Sequence, residues 1–235
     1  MSTSTTDLHS HGGDSHGHGG HDHADPHFQH HFTDMEQQFD TSKIGMWLFL
    51  ATEVLLFGGL FVGFGLMQAR YPQEFLEAHE HLQKPLGALN TIVLLISSYT
   101  MVMGVLSAQR SQTKKLVGYL SATIVCACIF LMVKYFEYAH KFEDGLLPGH
   151  WYSHKGDLIP NSHGYATFFS FYFMMTGLHG IHILAGIVVL LWILIRAKRG
   201  EFSKAYFTPV DLVGLYWHLV DLIWIYLFPL YYLIK

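Results

Sequence analysis

Five apolar stretches, each long enough to cross a membrane as a helix, constrain this chain more than any other feature of its sequence. They lie near residues 44–67, 86–109, 116–136, 165–195 and 210–234. About twenty helical residues cross the roughly 30 Å of hydrocarbon in a bilayer. Lipid offers no partner to backbone N–H and C=O groups, so such a run satisfies them internally as an α-helix. The expected fold is therefore an all-α integral membrane protein, a bundle of five transmembrane helices. The fourth stretch exceeds the length required, which predicts tilt or protrusion. Mean hydropathy is only +0.26 despite 51% hydrophobic residues, because a polar first segment dilutes the remainder.

That first segment, residues 1–42, holds nine of the 18 histidines and no Lys or Arg. Runs such as HGGDSHGHGGHDHADPHFQHH cannot bury enough apolar surface to fold alone. They predict a disordered His/Gly/Asp-rich tail, followed by one membrane domain over 43–235. Closely spaced imidazoles bind zinc, copper or nickel weakly without a fold; a solvated, pH-responsive tether is the alternative use of such a tail. No basic start followed by an apolar run is present, so insertion is expected to rely on the first internal helix. A net charge of -4 with no dense basic patch argues against a nucleic-acid partner. Cys126 and Cys128, two apart on a helix, point to different sides and make no CxxC redox pair.

The basic residues give the chain a direction. Lys43, Arg110, Lys114, Lys115, Arg196, Lys198, Arg199 and Lys204 fall at one end of the bundle, against six elsewhere. The short 2–3 and 4–5 connections dominate this bias and predict a cytoplasmic N-terminus and, after five crossings, an outside C-terminus. Tyr135, Phe136, Tyr138, Tyr231 and Tyr232 sit near span ends and are expected to be interfacial anchors. Gly59 and Gly63, with Gly58 beside them, would let another helix approach closely.

Polar groups inside the spans are the candidates for function, because each is costly in lipid unless it finds a partner. Glu53 stands alone in WLFLATEVLLFGGLFVGFGL, where a carboxyl is expected to be protonated or turned toward protein and water. It is either part of a proton path or a hydrogen-bonded tie between helices. His179 and His182 share a face of the fourth helix, as do His218 and Asp221 of the fifth. An HxxH and an HxxD fall short of an oriented transition-metal site, so these four are expected to form a structural polar cluster of interhelical hydrogen bonds. No metal site and no catalytic residue are predicted. Asp211 complements the dipole at the start of the fifth helix. Arg196, Lys198 and Arg199, beside Phe202, Tyr206 and Phe207, suit an anionic lipid headgroup or serve as topology-setting charge.

KIGMWLFLATEVLLFGGLF, HGYATFFSFYFMMTGLHGIH and GLYWHLVDLIWIYLF together resemble subunit III of the haem-copper oxidases, over roughly residues 43–235. The five spans are similar to a short form that lacks the first two of seven helices. The resemblance implies an accessory subunit of a terminal oxidase, without a cofactor of its own, packed beside subunit I and near subunit II, which carry haem and copper. It implies that Glu53 lies near the proton-uptake side of subunit I and that Arg196 contacts a bound phospholipid. It further implies a multi-pass protein of the bacterial cytoplasmic membrane, in a cytochrome c oxidase. A quinol oxidase subunit and the related nitric oxide reductase subunit share these motifs. A metal-ion transporter is the reading from another class, with the tail as collector and the HxxH and HxxD faces as a midplane site.

Overall fold

A computed structural model of the chain describes residues 35–80, 82–143, 163–204 and 206–233. It forms six helices: α1 (Met35–Arg70), α2 (Pro72–Glu80), α3 (Lys84–Gln109), α4 (Thr113–Glu143), α5 (His163–Lys198) and α6 (Thr208–Tyr232). No strand occurs among the described residues. All but α2 are long and apolar enough to cross a membrane, which gives the five expected spans. The chain divides into two units, residues 1–42 and 43–235. Of the expected tail, residues 1–34 lie outside the described residues, and 35–42 form the first turns of α1.

Every spanning helix starts before the apolar stretch that announced it, and two of the five, α3 and α6, do not outrun it at the far end: α3 ends at Gln109 as expected and α6 ends at Tyr232, short of 234. α1 starts nine residues before residue 44, and α4 continues past 136 to Glu143. Hydropathy marks only the part that needs lipid, whereas a helix continues wherever its backbone stays paired. At about 1.5 Å per residue, the 36 residues of α1 or of α5 reach about 54 Å, well beyond the hydrocarbon thickness. α2 was not expected, since nine residues are too short for a span. Pro72 begins it, where a missing N–H costs nothing, and Glu74 complements its dipole. Phe75, Ala78 and His79, spaced i, i+3, i+4, are buried on one side of α2.

The backbones of α3, α4, α5 and α6 approach one another in a closed ring, 3–4–5–6–3, and α2 lies against α5 and α6. α6 is the most enclosed span, with half of its apolar window buried against 17% for α1. Its Trp217 and Trp224 are fully buried. Trp217 donates its indole N–H to Ser97 Oγ at 2.8 Å, and Trp224 to Thr91 Oγ1 at 3.1 Å, so both polar tips are satisfied from α3. Gly186 of α5 makes the α5–α6 approach possible: a Cβ there would lie 2.6 Å from the Trp217 ring.

α1 meets this ring through side chains. Phe57 and Phe64 are its buried pegs, and Phe64 packs against Phe75, Phe168, Phe171 and Tyr231 at centroid distances of 5.0–6.1 Å. Of the expected small-residue approach, a Cβ on Gly63 would touch the Phe171 ring at 3.4 Å, while Gly58 and Gly59 face open space. Leu55 is 75% exposed and lies on an outer face of Ile44, Leu48, Val62 and Leu66, a surface suited to lipid or a partner helix.

The basic end of the bundle is assembled locally. Gln112 N–H donates to Ser107 C=O at 2.9 Å and closes the three-residue turn between α3 and α4. Lys204 N–H, from the α5–α6 connection, donates to Ser111 Oγ at 2.8 Å. Gly200 ends α5 with φ +76°, a conformation that favours glycine. Lys43, in the third turn of α1, lies 3.7 Å from Asp211. The 2–3 turn, the 4–5 loop and Lys43 thus meet at one end.

Candidate functional site

Glu53 of α1 and His182 of α5 form an isolated pair inside the span region. His182 Nε2 lies 2.8 Å from Glu53 Oε2, and each side chain is only 15% exposed. The other ring nitrogen, Nδ1, lies 2.8 Å from the Leu178 carbonyl. A carbonyl only accepts, so Nδ1 carries a hydrogen and the proton shared with Glu53 sits on the Nε2 side. Two arrangements satisfy the contact: a carboxylic acid donating to neutral Nε2, or an imidazolium N–H donating to a carboxylate. Both hold one shared proton and carry zero net charge. Phe57 stands edge-on to the imidazole at 5.4 Å, and Tyr216 donates its O–H to the His182 carbonyl at 3.0 Å. The pair is therefore walled by rings and held in a defined orientation, as a group that stores a proton requires.

The four residues expected in one polar cluster occupy three places. His182 turns to Glu53. His179, one turn earlier, is fully buried between Phe130 and Trp224, at centroid distances of 5.5 and 5.3 Å, and neither ring nitrogen has a partner among the described residues. His218 pairs with Ser98 Oγ through Nδ1 at 2.8 Å. Asp221 lines a cavity beside it, and neither of its oxygens has a hydrogen-bond partner among the described residues. Thus only His218 and Asp221 share a location. Among the described residues no group of three or more His, Cys, Asp or Glu is placed to hold a metal ion.

Arg196 is occupied from within the chain. Its Nε donates to Glu201 Oε2 at 2.6 Å, and its guanidinium lies 4.9 Å from the Trp192 ring, 5.3 Å from Phe202 and 5.8 Å from Tyr206. This aromatic and carboxylate cradle holds the charge at the end of α5.

One cluster escaped the sequence reading. Lys134 and Glu137, both on α4 and both buried, pair at 2.9 Å. Lys134 Nζ also reaches Tyr232 at 3.1 Å and Tyr172 at 3.3 Å, and lies 4.8 Å from the Trp224 ring. Both tyrosine hydroxyls donate to Glu137 Oε1, Tyr172 at 2.8 Å and Tyr232 at 2.5 Å. The expected interfacial role of Tyr231 and Tyr232 is thereby corrected: both are fully buried, because Tyr232 satisfies Glu137 and Tyr231 donates to Met175 Sδ at 3.0 Å. Tyr138 also turns inward, onto Thr176. Tyr135 and Phe136 do face outward. The signal for the cluster was present as KYFE, opposite charges three apart within an apolar helix.

Comparison with known proteins agrees with the motifs in α5 and α6. The family model described as cytochrome c oxidase subunit III matches residues 160–234. The cytochrome c oxidase subunit 3 of Corynebacterium diphtheriae is 32% identical over 195 residues, covering 82% of this chain and 88% of that protein. A Nocardia farcinica protein named "Probable cytochrome c oxidase subunit 3" is 30% identical over 197 residues, 82% and 88% of the two chains. A Staphylococcus aureus protein named "Probable quinol oxidase subunit 3" is 27% identical over 195 residues, 83% and 90%.

Proposed function

The chain belongs to the haem-copper oxidase subunit III family, and from this we propose that it is the accessory, cofactor-free subunit of a proton-pumping terminal oxidase. In this role it packs against subunit I, with subunit II close by, and supports proton uptake and the working life of the catalytic subunit. Haem and copper belong to the partners. The reading is of a multi-pass protein of the bacterial cytoplasmic membrane, with the basic end of the bundle inside. Arg196 holds a phospholipid headgroup through whatever donors its internal partners leave.

The observation that supports this function best is the 2.8 Å contact between Glu53 and His182. A proton held between a carboxyl and an imidazole in an apolar wall can be given up or replaced with little rearrangement, which suits a group beside a proton entrance. The Lys134–Glu137 cluster, by contrast, is tied into the ring, as structure requires.

The relatives include both cytochrome c and quinol oxidase subunits, and two at 30% identity or above are named for cytochrome c oxidase. That favours cytochrome c as the electron donor of the complex. Both readings meet in one experiment on the purified oxidase. With reduced cytochrome c as donor, the wild-type complex turns over; Glu53→Gln, which keeps the contact but cannot release a proton, assembles normally yet takes up protons more slowly or loses activity sooner during turnover. Unchanged uptake and lifetime would remove the role of Glu53, and turnover on quinol alone would select the quinol oxidase.

A further inference from the structure

Facing the groove between α3 and α6, α6 carries Asp211, His218 and Asp221 at i, i+7 and i+10, one stripe along the helix. Two cavities follow that stripe in the groove between α3 and α6. One of about 160 Å³ is lined by Val102, Val105, Asp211, Gly214 and His218. The next, of about 250 Å³, is lined by Leu94, Ser98, His218 and Asp221, with Leu222 and Ile225 at its rim. His218 borders both, so the cavities form a row. The row begins at Asp211, where Lys43 marks the end of the bundle, and finishes halfway along α6.

Asp221 is 3% exposed and neither carboxyl oxygen has a partner among the described residues. The Ser98 hydroxyl beside it is within reach of the carboxyl, but its bond of good geometry goes to His218 Nδ1, and a single hydroxyl could meet only one of the two oxygens. A carboxyl at that depth needs a hydrogen-bonding partner, because hydrocarbon supplies none. Lipid headgroups lie at the membrane boundary, about 15 Å from the middle of the hydrocarbon, and cannot supply it. Water can. A cavity of this size holds several molecules, and polar atoms at one wall provide the two or more bonds that each requires. Gly214 leaves the passage open beside Val105, where a Cβ would come within 3.1 Å.

We propose that the α3–α6 groove is a water-binding site, a file of water molecules that runs from Asp211 past His218 to Asp221. Through it the buried Asp221 carboxyl exchanges hydrogen with solvent at the Lys43 end of the bundle. The file is separate from the Glu53–His182 pair, and it does not rest on the oxidase assignment. Acyl chains close its outer side over Leu95, Leu222 and Ile225, which are 51%, 47% and 44% exposed.

The test uses the assembled complex in its own membranes. Cys126→Ala and Cys128→Ala remove the two native thiols, and single cysteines are placed by Ser98→Cys and Val102→Cys in the groove. Ile92→Cys, on the same helix but at a position 58% exposed on the apolar surface, is the control. Silver ion or a small cationic methanethiosulfonate, both water-borne, should modify the groove thiols roughly tenfold faster than the control, since thiols facing lipid are not reached by water. Equal rates, or groove thiols as inert as the control, would overturn the proposal, as would protection in the complex by a partner helix seated there. X-ray radiolysis of the unmodified complex gives a reading independent of any substitution. Oxidation at His218 and Leu94 supports the water file, and its absence there overturns it. Neither readout uses turnover, so failure of the groove leaves the Glu53 assignment standing, and the reverse also holds.

Discussion

At the scale of single residues, Lys134 illustrates what an ammonium needs inside a bundle. It is 7% exposed, and its charge meets Glu137, two tyrosine hydroxyls and the Trp224 ring. Removing one member strands the other, which typically costs about 3–5 kcal/mol in a buried pair. Lys134→Met should therefore lower the thermal midpoint at which the subunit leaves the purified complex, because Glu137 keeps only the tyrosine donors. Lys134→Met with Glu137→Gln should recover much of that loss, as the remaining amide still accepts from Tyr172 and Tyr232. Additive losses in the double variant would count against a coupled cluster. Glu53 was legible in the sequence as a lone carboxyl, but its partner was not: His182 lies 129 positions away. The HxxH spacing pointed to a shared helix face for His179 and His182, whereas neighbouring side chains turned one to the ring interior and the other to α1. KYFE was visible too, yet its lysine entered only as one of the six basic residues away from the basic end, and the carboxyl three places on was not paired with it.

At the scale of elements, the five spans were legible because apolar length leaves a chain in lipid a single option. Their ends were not, since polar turns such as Met35–Ser42 extend a helix without adding to its hydropathy. α2 went unseen because a nine-residue amphipathic helix gains its stability from packing on α5 and α6, and sequence gives no view of that surface. Close approach is likewise a tertiary property. Gly186 and Gly180 lie six apart on α5, but a Cβ on Gly186 would strike the Trp217 ring at 2.6 Å, whereas Gly180 has nothing within 4 Å. Gly186→Ala should cost about 1–3 kcal/mol by forcing Trp217 off Ser97 or parting α5 from α6. Gly180→Ala should be neutral or stabilising by up to about 1 kcal/mol through helix propensity. Thermal release of the subunit from the complex compares the two, and equal losses would contradict the asymmetry.

At the scale of the whole molecule, the charge bias and the geometry meet at one end. Lys43 lies by Asp211, and Lys204 bonds Ser111, so the residues counted as positive-inside do gather there. The positive-inside rule then predicts that a tag fused before residue 1 is reached by protease only in inverted membrane vesicles. Cleavage in right-side-out vesicles would reverse the orientation. The Glu53–His182 pair has a further property that follows from its proton count. With one proton held between a carboxyl and an imidazole, the pair is electrically neutral in either arrangement. A unit charge that crosses the whole membrane at 100 mV changes energy by about 2.3 kcal/mol. Moving the shared proton over the 2.8 Å between its two holders, against about 30 Å of hydrocarbon, involves about 0.2 kcal/mol at most, below thermal energy. The membrane voltage therefore has almost no grip on the pair at rest, and acts on it only once a proton has been added or taken away.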